Sequence, residues 1–172
     1  MKNLLHHKVF RACIAILLAA IVILLLFRIP TRISAAKFNS QTTLPVGLLE
    51  TGVDWSEYTY LGGFGMRAYR MERNTGTIEY QVSSWPDTFF GKQKVDHIFC
   101  WDTAVTVCGL SVGDDITQAE NVLRQYGFRP TENRNQYVRF GVILTINTDG
   151  SSTKIHQIVI GVSSTNILGF VY

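Results

Sequence analysis

Hydrophobic and polar positions follow three rhythms along this chain, and each rhythm predicts a different element. Ala12 to Phe27 is an uninterrupted apolar run. Extended to Ile29 with Arg28 snorkelling, it reaches roughly 27 Å at 1.5 Å per residue, which predicts a membrane-spanning helix. The second rhythm lies between Gly109 and Gly127, where Ile116, Ala119, Val122, Leu123 and Tyr126 recur at helical spacing. Asp115 is the expected N-cap, with Gln118 at capping-box distance; Gly127 supplies a left-handed stop, and Pro130 prevents resumption. A shorter helix is expected over Val53 to Gly63. There Asp54 and Glu57 have capping-box spacing, Trp55, Tyr58 and Leu61 share a face, and Gly62 and Gly63 end the pattern.

The third rhythm has period two. Ile78, Tyr80 and Val82 alternate after a turn at Asn74 to Gly76, so MRAYRMER and TIEYQVSS read as a hairpin. Further strands are expected at Lys94 to Trp101, at Gln136 to Phe140, at Val142 to Asn147 and, after a turn at Asp149 and Gly150, at Lys154 to Val162; Thr103 to Cys108 extends the first of these. In KVDHIF and KIHQIV the apolar residue after the lysine is followed by the next one three positions on. That slip in period two is the mark of a β-bulge.

The chain also matches itself, YLGGF (Tyr60 to Phe64) against RQYGF (Arg124 to Phe128) and KVDHIF (Lys94 to Phe99) against KIHQIV (Lys154 to Val159). The order of glycine, hydrophilic cap, amphipathic helix, glycine, proline and strands ending in a lysine-led segment resembles the repeat of the beta-lactamase-inhibitor-protein-like fold, shared with small outer-membrane assembly lipoproteins. It covers Gly109 to Val162 well and Val53 to Trp101 less completely. The first copy departs through its short helix and missing proline, and no lipid-attachment cysteine precedes the domain. The resemblance therefore implies architecture, with helices on one face of an antiparallel sheet and the other face free to hold a protein, and it carries over no activity. The expected fold is α+β: an N-terminal transmembrane helix in residues 1–32, a linker in 33–52, and two tandem helix-plus-antiparallel-sheet units in 53–108 and 109–172.

Charge placement bears on where the protein sits. The net charge is +3, yet Lys2, Lys8, Arg11, Arg28 and Arg32 all precede the first of the 13 acidic residues. The folded part is slightly acidic, so the basic isoelectric point is no argument for nucleic-acid binding. The expected topology is a single pass in a cytoplasmic membrane through residues 12–29, in a bacterial-type cell, with the carboxy-terminal domain outside. The alternative is secretion after cleavage near Ala36, where Ser34 and Ala36 form a small-residue site.

Candidate chemistry is sparse. Cys100 and Cys108 could pair in an exported domain, but straight strand would hold them roughly 26 Å apart, so a disulfide demands a turn at Asp102 and Thr103; two buried free thiols are the alternative. Gly109-Leu110-Ser111-Val112-Gly113 matches a nucleophile elbow, which would make Ser111 a hydrolase nucleophile with Asp149 and His156 as partners, but the large parallel sheet of such enzymes is missing. Gly63-Phe64-Gly65 precedes a strand-like segment where a dinucleotide site needs a helix. Asp96, His97 and Cys100 fit no common zinc spacing. No cofactor or metal is expected. Trp85, Phe89 and Phe90, in a Pro- and Gly-marked loop, are the candidate partner anchors, the alternative being that they fold back to cap the sheet. The expected function is a membrane-anchored extracytoplasmic protein-binding module of inhibitor, immunity or accessory-subunit type, not an enzyme, whose partner is another envelope or secreted protein. A sensor or carrier of a small envelope ligand is the alternative.

Overall fold

Period-two alternation organises most of the chain. The computed structural model describes residues 2–62, 66–83 and 93–162. A helix, α1 (Lys2–Asn39), is followed by β1 (Thr59–Gly62), β2 (Met66–Arg73), β3 (Gly76–Ser83), β4 (Lys94–Cys100), β5 (Thr106–Val107) and β6 (Leu110–Ser111). A 3-10 turn at Ile116–Gln118 then leads into α2 (Ala119–Gln125), β7 (Arg129–Pro130), β8 (Gln136–Arg139), β9 (Val142–Thr148) and β10 (Ile155–Val162). Eight strands make one antiparallel sheet in the order β1-β2-β3-β4-β10-β9-β8-β7, and β5 pairs with β6 as a separate hairpin.

The two lysine-led segments that match in sequence are β4 and β10, and they are neighbours at the centre of the sheet. Their register pairs Ile98 with Ile160, Phe99 with Val159, and Cys100 with Ile158. If Lys94 is laid on Lys154, this pairing maps onto itself, with Phe99 and Val159 on the axis of exchange. The ladder also skips one residue in each strand, Asp96 against β3 and His156 against β9. Laying Lys94 on Lys154 superposes these two bulges as well.

Alternation buries one face. Ile78, Tyr80 and Val82 on β3, Val95, Ile98 and Cys100 on β4, Ile155, Ile158 and Ile160 on β10, and Val142, Leu144 and Ile146 on β9 all lie in the core. Each large aliphatic chain removed from water there contributes about 1.5–3 kcal/mol. Ala119 and Leu123 of α2 join this core, as do Ala35 and Phe38 near the end of α1, and Phe38 meets Phe128 edge-on at 6.5 Å. Asp115 caps the 3-10 turn, accepting the Thr117 amide at 3.0 Å. Gly127 closes α2 at φ +83°, and the Phe128 amide returns to the Leu123 carbonyl.

Several expectations are overturned. Among the described residues no helix is long and apolar enough to cross a membrane. The uncharged run between Arg11 and Arg28 is about 24 Å long at 1.5 Å per residue, short of a hydrocarbon core of about 30 Å. The transmembrane helix, the signal anchor and the single-pass cytoplasmic-membrane location are therefore corrected. The expected linker in 33–52 is also different, because α1 continues to Asn39 and Ser34, Ala35, Phe38, Val46 and Leu48 are buried. The fold is dominated by its sheet and is not a membrane helix with two helix-plus-sheet units: β4 and β10 fuse both halves into one surface.

No helix forms over residues 53–62, the described part of the expected helix from Val53 to Gly63. Asp54 accepts the Ser56 amide in a local turn, Trp55 stacks on Tyr69 at 4.4 Å, and Tyr58 packs edge-on to Tyr80 at 5.8 Å. Aromatic contact with the sheet thus outweighs the local helical spacing, and Thr59–Gly62 is the edge strand β1.

Cys100 and Cys108 are buried free thiols, not a disulfide. Burial is the main cause that pushes each up to about 11 from the ordinary 9.0, although a backbone hydrogen bond from Asp102 acts in the opposite sense on Cys100. The folded chain therefore holds these protons more tightly than the unfolded chain. Their stabilising contribution should be complete below about pH 9 and fall away as pH rises through about 11. Urea unfolding across that window should show the decline, and Cys108→Ala should flatten part of it.

The β8–β9 turn holds a local conflict. Arg139 pairs with Val142, leaving Phe140 at φ +42° and Gly141 at φ +84° as a two-residue turn. Two successive positive φ values favour Asn-Gly, and a bulky residue at the first position is strained. Phe140 is 75 % exposed and gains little by packing. Phe140→Asn should raise stability by about 1 kcal/mol, read as a higher thermal midpoint.

Candidate functional site

Because one sheet face carries the core, the alternate residues define the other. The bulge at Asp96 matters here. It lets Val95 and Ile98 both face inward, and so turns His97, Phe99 and Trp101 to the opposite side. The bulge at His156 does the same for β10, placing Gln157 and Val159 beside them, and Ile143 and Thr145 of β9 continue the surface. These residues keep partial exposure from strand to strand.

At the centre of this face the Phe99 and Trp101 rings stack at 6.2 Å with an interplanar angle of 17°. The Trp101 amide donates to the Thr77 carbonyl at 2.8 Å, which fixes the backbone that carries its indole. The His97 ring lies over Gly161, where an added β-carbon would come within 2.7 Å of it. Its Nδ1 is buried and lacks a hydrogen-bond partner among the described residues. Arg70 crosses to Glu79 on β3, with Nη2 at 2.6 Å and Nε at 2.9 Å from one carboxylate oxygen, and its Nη1 lies 3.8 Å from Glu72, so one guanidinium is shared by two carboxylates at this side. The face has an aromatic and aliphatic centre with amide groups and ion-paired side chains around it, a composition suited to burial against another protein.

Other sequence candidates do not assemble into a site. Ser111 lies on β6, not on a strand-to-helix elbow; its Oγ is 3.2 Å from Thr106 Oγ1, and its amide donates to Asp114. Asp149 and His156 are not among its hydrogen-bond partners. Asp96, His97 and Cys100 are separated by facing, Cys100 into the core and His97 outward, with Asp96 in the bulge. Among the described residues no cluster of three or more His, Cys, Asp or Glu side chains could hold a metal. Trp85, Phe89 and Phe90 lie outside the described residues, as does Gly63-Phe64-Gly65. The residues that sequence reasoning missed are Phe99, Trp101 and Val159. Their signal was the alternation of His97, Phe99 and Trp101 against Ile98 and Cys100, legible once the bulge is placed at Asp96.

The class defined by these features is an eight-stranded antiparallel sheet, one face packed under helices and loops and the other, with an aromatic centre, half-exposed among the described residues. No family model, curated protein or solved structure matches the chain.

Proposed function

We propose that this protein is a non-catalytic protein-binding module of the inhibitor, immunity or accessory-subunit type, and that it holds its partner on the open sheet face. The observation that carries the reading is the stacked Phe99–Trp101 pair beside Val159, at the junction of the two halves of the sheet. Large aromatics near the centre of a surface, with polar groups around them, are where binding energy concentrates. The resemblance of Gly109 to Val162 to the beta-lactamase-inhibitor-protein-like repeat supports the same choice of face. The rigid backbone of two central strands also lowers the ordering cost of binding.

A photo-crosslinking residue at Phe99 should trap a discrete partner in living cells, whereas the same residue at Asn121, on exposed α2, should not. Trp101→Lys in the Phe99 probe should reduce the adduct roughly thirtyfold, the equivalent of about 2 kcal/mol, with circular dichroism unchanged. Equal trapping from both positions, or trapping indifferent to Trp101→Lys, would sink the reading.

A further inference from the structure

A second surface lies on the core side of the sheet, away from Phe99 and Trp101. After Leu48 the chain runs as a strap along the start of β4: the Leu49 amide donates to the Val95 carbonyl at 2.8 Å, the Val95 amide to the Glu50 carbonyl at 3.1 Å, and Thr51 bridges to Lys94. Between this strap and the end of β3 is a solvent-open pocket of about 390 Å³, lined by Glu50, Thr51, Val53, Trp55, Val82 and Gln93. Its lining has four chemical parts. Trp55 gives an aromatic wall, held in place by stacking on Tyr69 at 4.4 Å. Val53 and Val82 are apolar, and Thr51 and Gln93 offer hydrogen bonds. Among the described lining residues Glu50 is the one charged group, and its carboxylate is fixed because Oε2 accepts the Gly47 amide at 2.6 Å.

Around it, Lys94 faces Thr51 across the bridge, and the acidic residues stand on the loop that follows the strap. Asp54 and Glu57 lie on the same exposed loop. At Tyr58, burial is the main cause that raises the phenol; Arg73 opposes it, and Glu57 and Glu50 add to it. Arg73 is itself drawn to buried Asp102 at 3.7 Å and does not line the pocket. A carboxylate beside an aromatic wall disfavours anions, and a neutral ligand would leave the carboxylate unused.

We infer that this pocket binds a small organic cation of the alkylammonium class, with the ammonium group between the Glu50 carboxylate and the Trp55 ring and the alkyl chain against Val53 and Val82. The site is independent of the sheet-face reading, so either can fail alone. The test uses the full chain and n-butylammonium as the probe, followed through the Trp55 indole N–H signal, assigned with Trp55→Phe. A saturable shift with a Kd on the order of 1 mM is expected, and butyrate and 1-butanol should bind at least about tenfold more weakly. Glu50→Gln, which keeps an oxygen acceptor for Gly47, should weaken n-butylammonium about tenfold, whereas Asp96→Asn on β4 should leave it unchanged. Absence of a saturable shift, or equal binding of 1-butanol, would overturn the inference on the unmodified chain, whatever the folding of the Glu50 variant. Unchanged affinity in folded Glu50→Gln would also overturn it.

Discussion

Replacing Arg139 with leucine should lower stability by about 3 kcal/mol and the thermal midpoint by roughly 10 °C. The residue is 4 % exposed, yet no carboxylate is among the partners it makes within the described residues. Its Nη1 donates to the Tyr126 carbonyl at 2.6 Å and to Gln41 Oε1 at 2.8 Å, Nη2 reaches the Ser34 carbonyl at 3.3 Å, and Nε reaches Ser34 Oγ at 3.4 Å. The Ser34 hydroxyl donates back to the Arg139 carbonyl, and the guanidinium sits 4.6 Å from the centre of the Phe128 ring. One side chain thus ties the end of α1, the last turn of α2 and the end of β8 together.

Burial lowers the pKa of this arginine, but a guanidinium remains charged at neutral pH, so its cost of burial must be offset by these acceptors and the aromatic face. Leucine removes that cost but leaves the carbonyls of Tyr126 and Ser34 without this donor, at about 1–3 kcal/mol for each one buried. Arg139→Lys retains the charge without the planar fork and should recover less than half of the loss. Urea unfolding of both variants decides the matter. Stabilities within about 1 kcal/mol of the parent would show that the three elements are held without this network.

The second large effect is expected from Gly76→Ala. Gly76 begins β3 at φ +144°, and a β-carbon there would lie 2.4 Å from the Trp101 carbonyl oxygen and 2.6 Å from the Asp102 α-carbon. Both are backbone atoms and cannot turn aside as a side chain would. The corner they belong to is fixed on either side, with the Trp101 amide on the Thr77 carbonyl and the Thr103 amide on the Thr75 carbonyl at 3.1 Å. Asp102, 0 % exposed, is anchored in the same corner through its acceptance of the Ala104 amide at 2.9 Å. The clash and the backbone conformation together should cost roughly 3–4 kcal/mol. Gly150→Ala is the control, since Gly150 also has positive φ but open space around it, and it should cost only about 1 kcal/mol. Because the corner carries Trp101, Gly76→Ala should also weaken partner capture through Phe99. Equal midpoints for the two alanine variants would show that the corner can move.

The legibility of the chain varied with the range of the interactions concerned. The hairpin of β2 and β3, the strands β8, β9 and β10, the Asp115 cap and the Gly127 stop were all readable, because turn chemistry and alternation act over a few residues. The bulges in β4 and β10 were readable for the same reason, as a slip in period. By contrast, Trp55 and Tyr58 have helical spacing but form no helix, since their partners Tyr69 and Tyr80 belong to strands. The role of Arg139 was also hidden, because its partner Ser34 lies 105 residues away, in a stretch whose polar, small-residue composition predicts a linker. At the candidate site, Phe99 and Trp101 stood in a recognisable strand, but which of its faces was covered could not be read from that strand alone.

What the sequence by itself determined is therefore local: where strands alternate, where α2 stops, and where a strand must bulge to keep its apolar residues on one side. The tertiary structure alone decided that β4 and β10 lie side by side, that the end of α1 belongs to the core, and that Phe99, stacked on Trp101, stands opposite Val159 on the sheet face away from that core. The physical reason is that alternation fixes only which residues share a side of a strand. Which side is buried, and which strand lies beside it, depends on contacts between segments far apart in the chain, and their apolar burial and hydrogen bonds outweigh local preference.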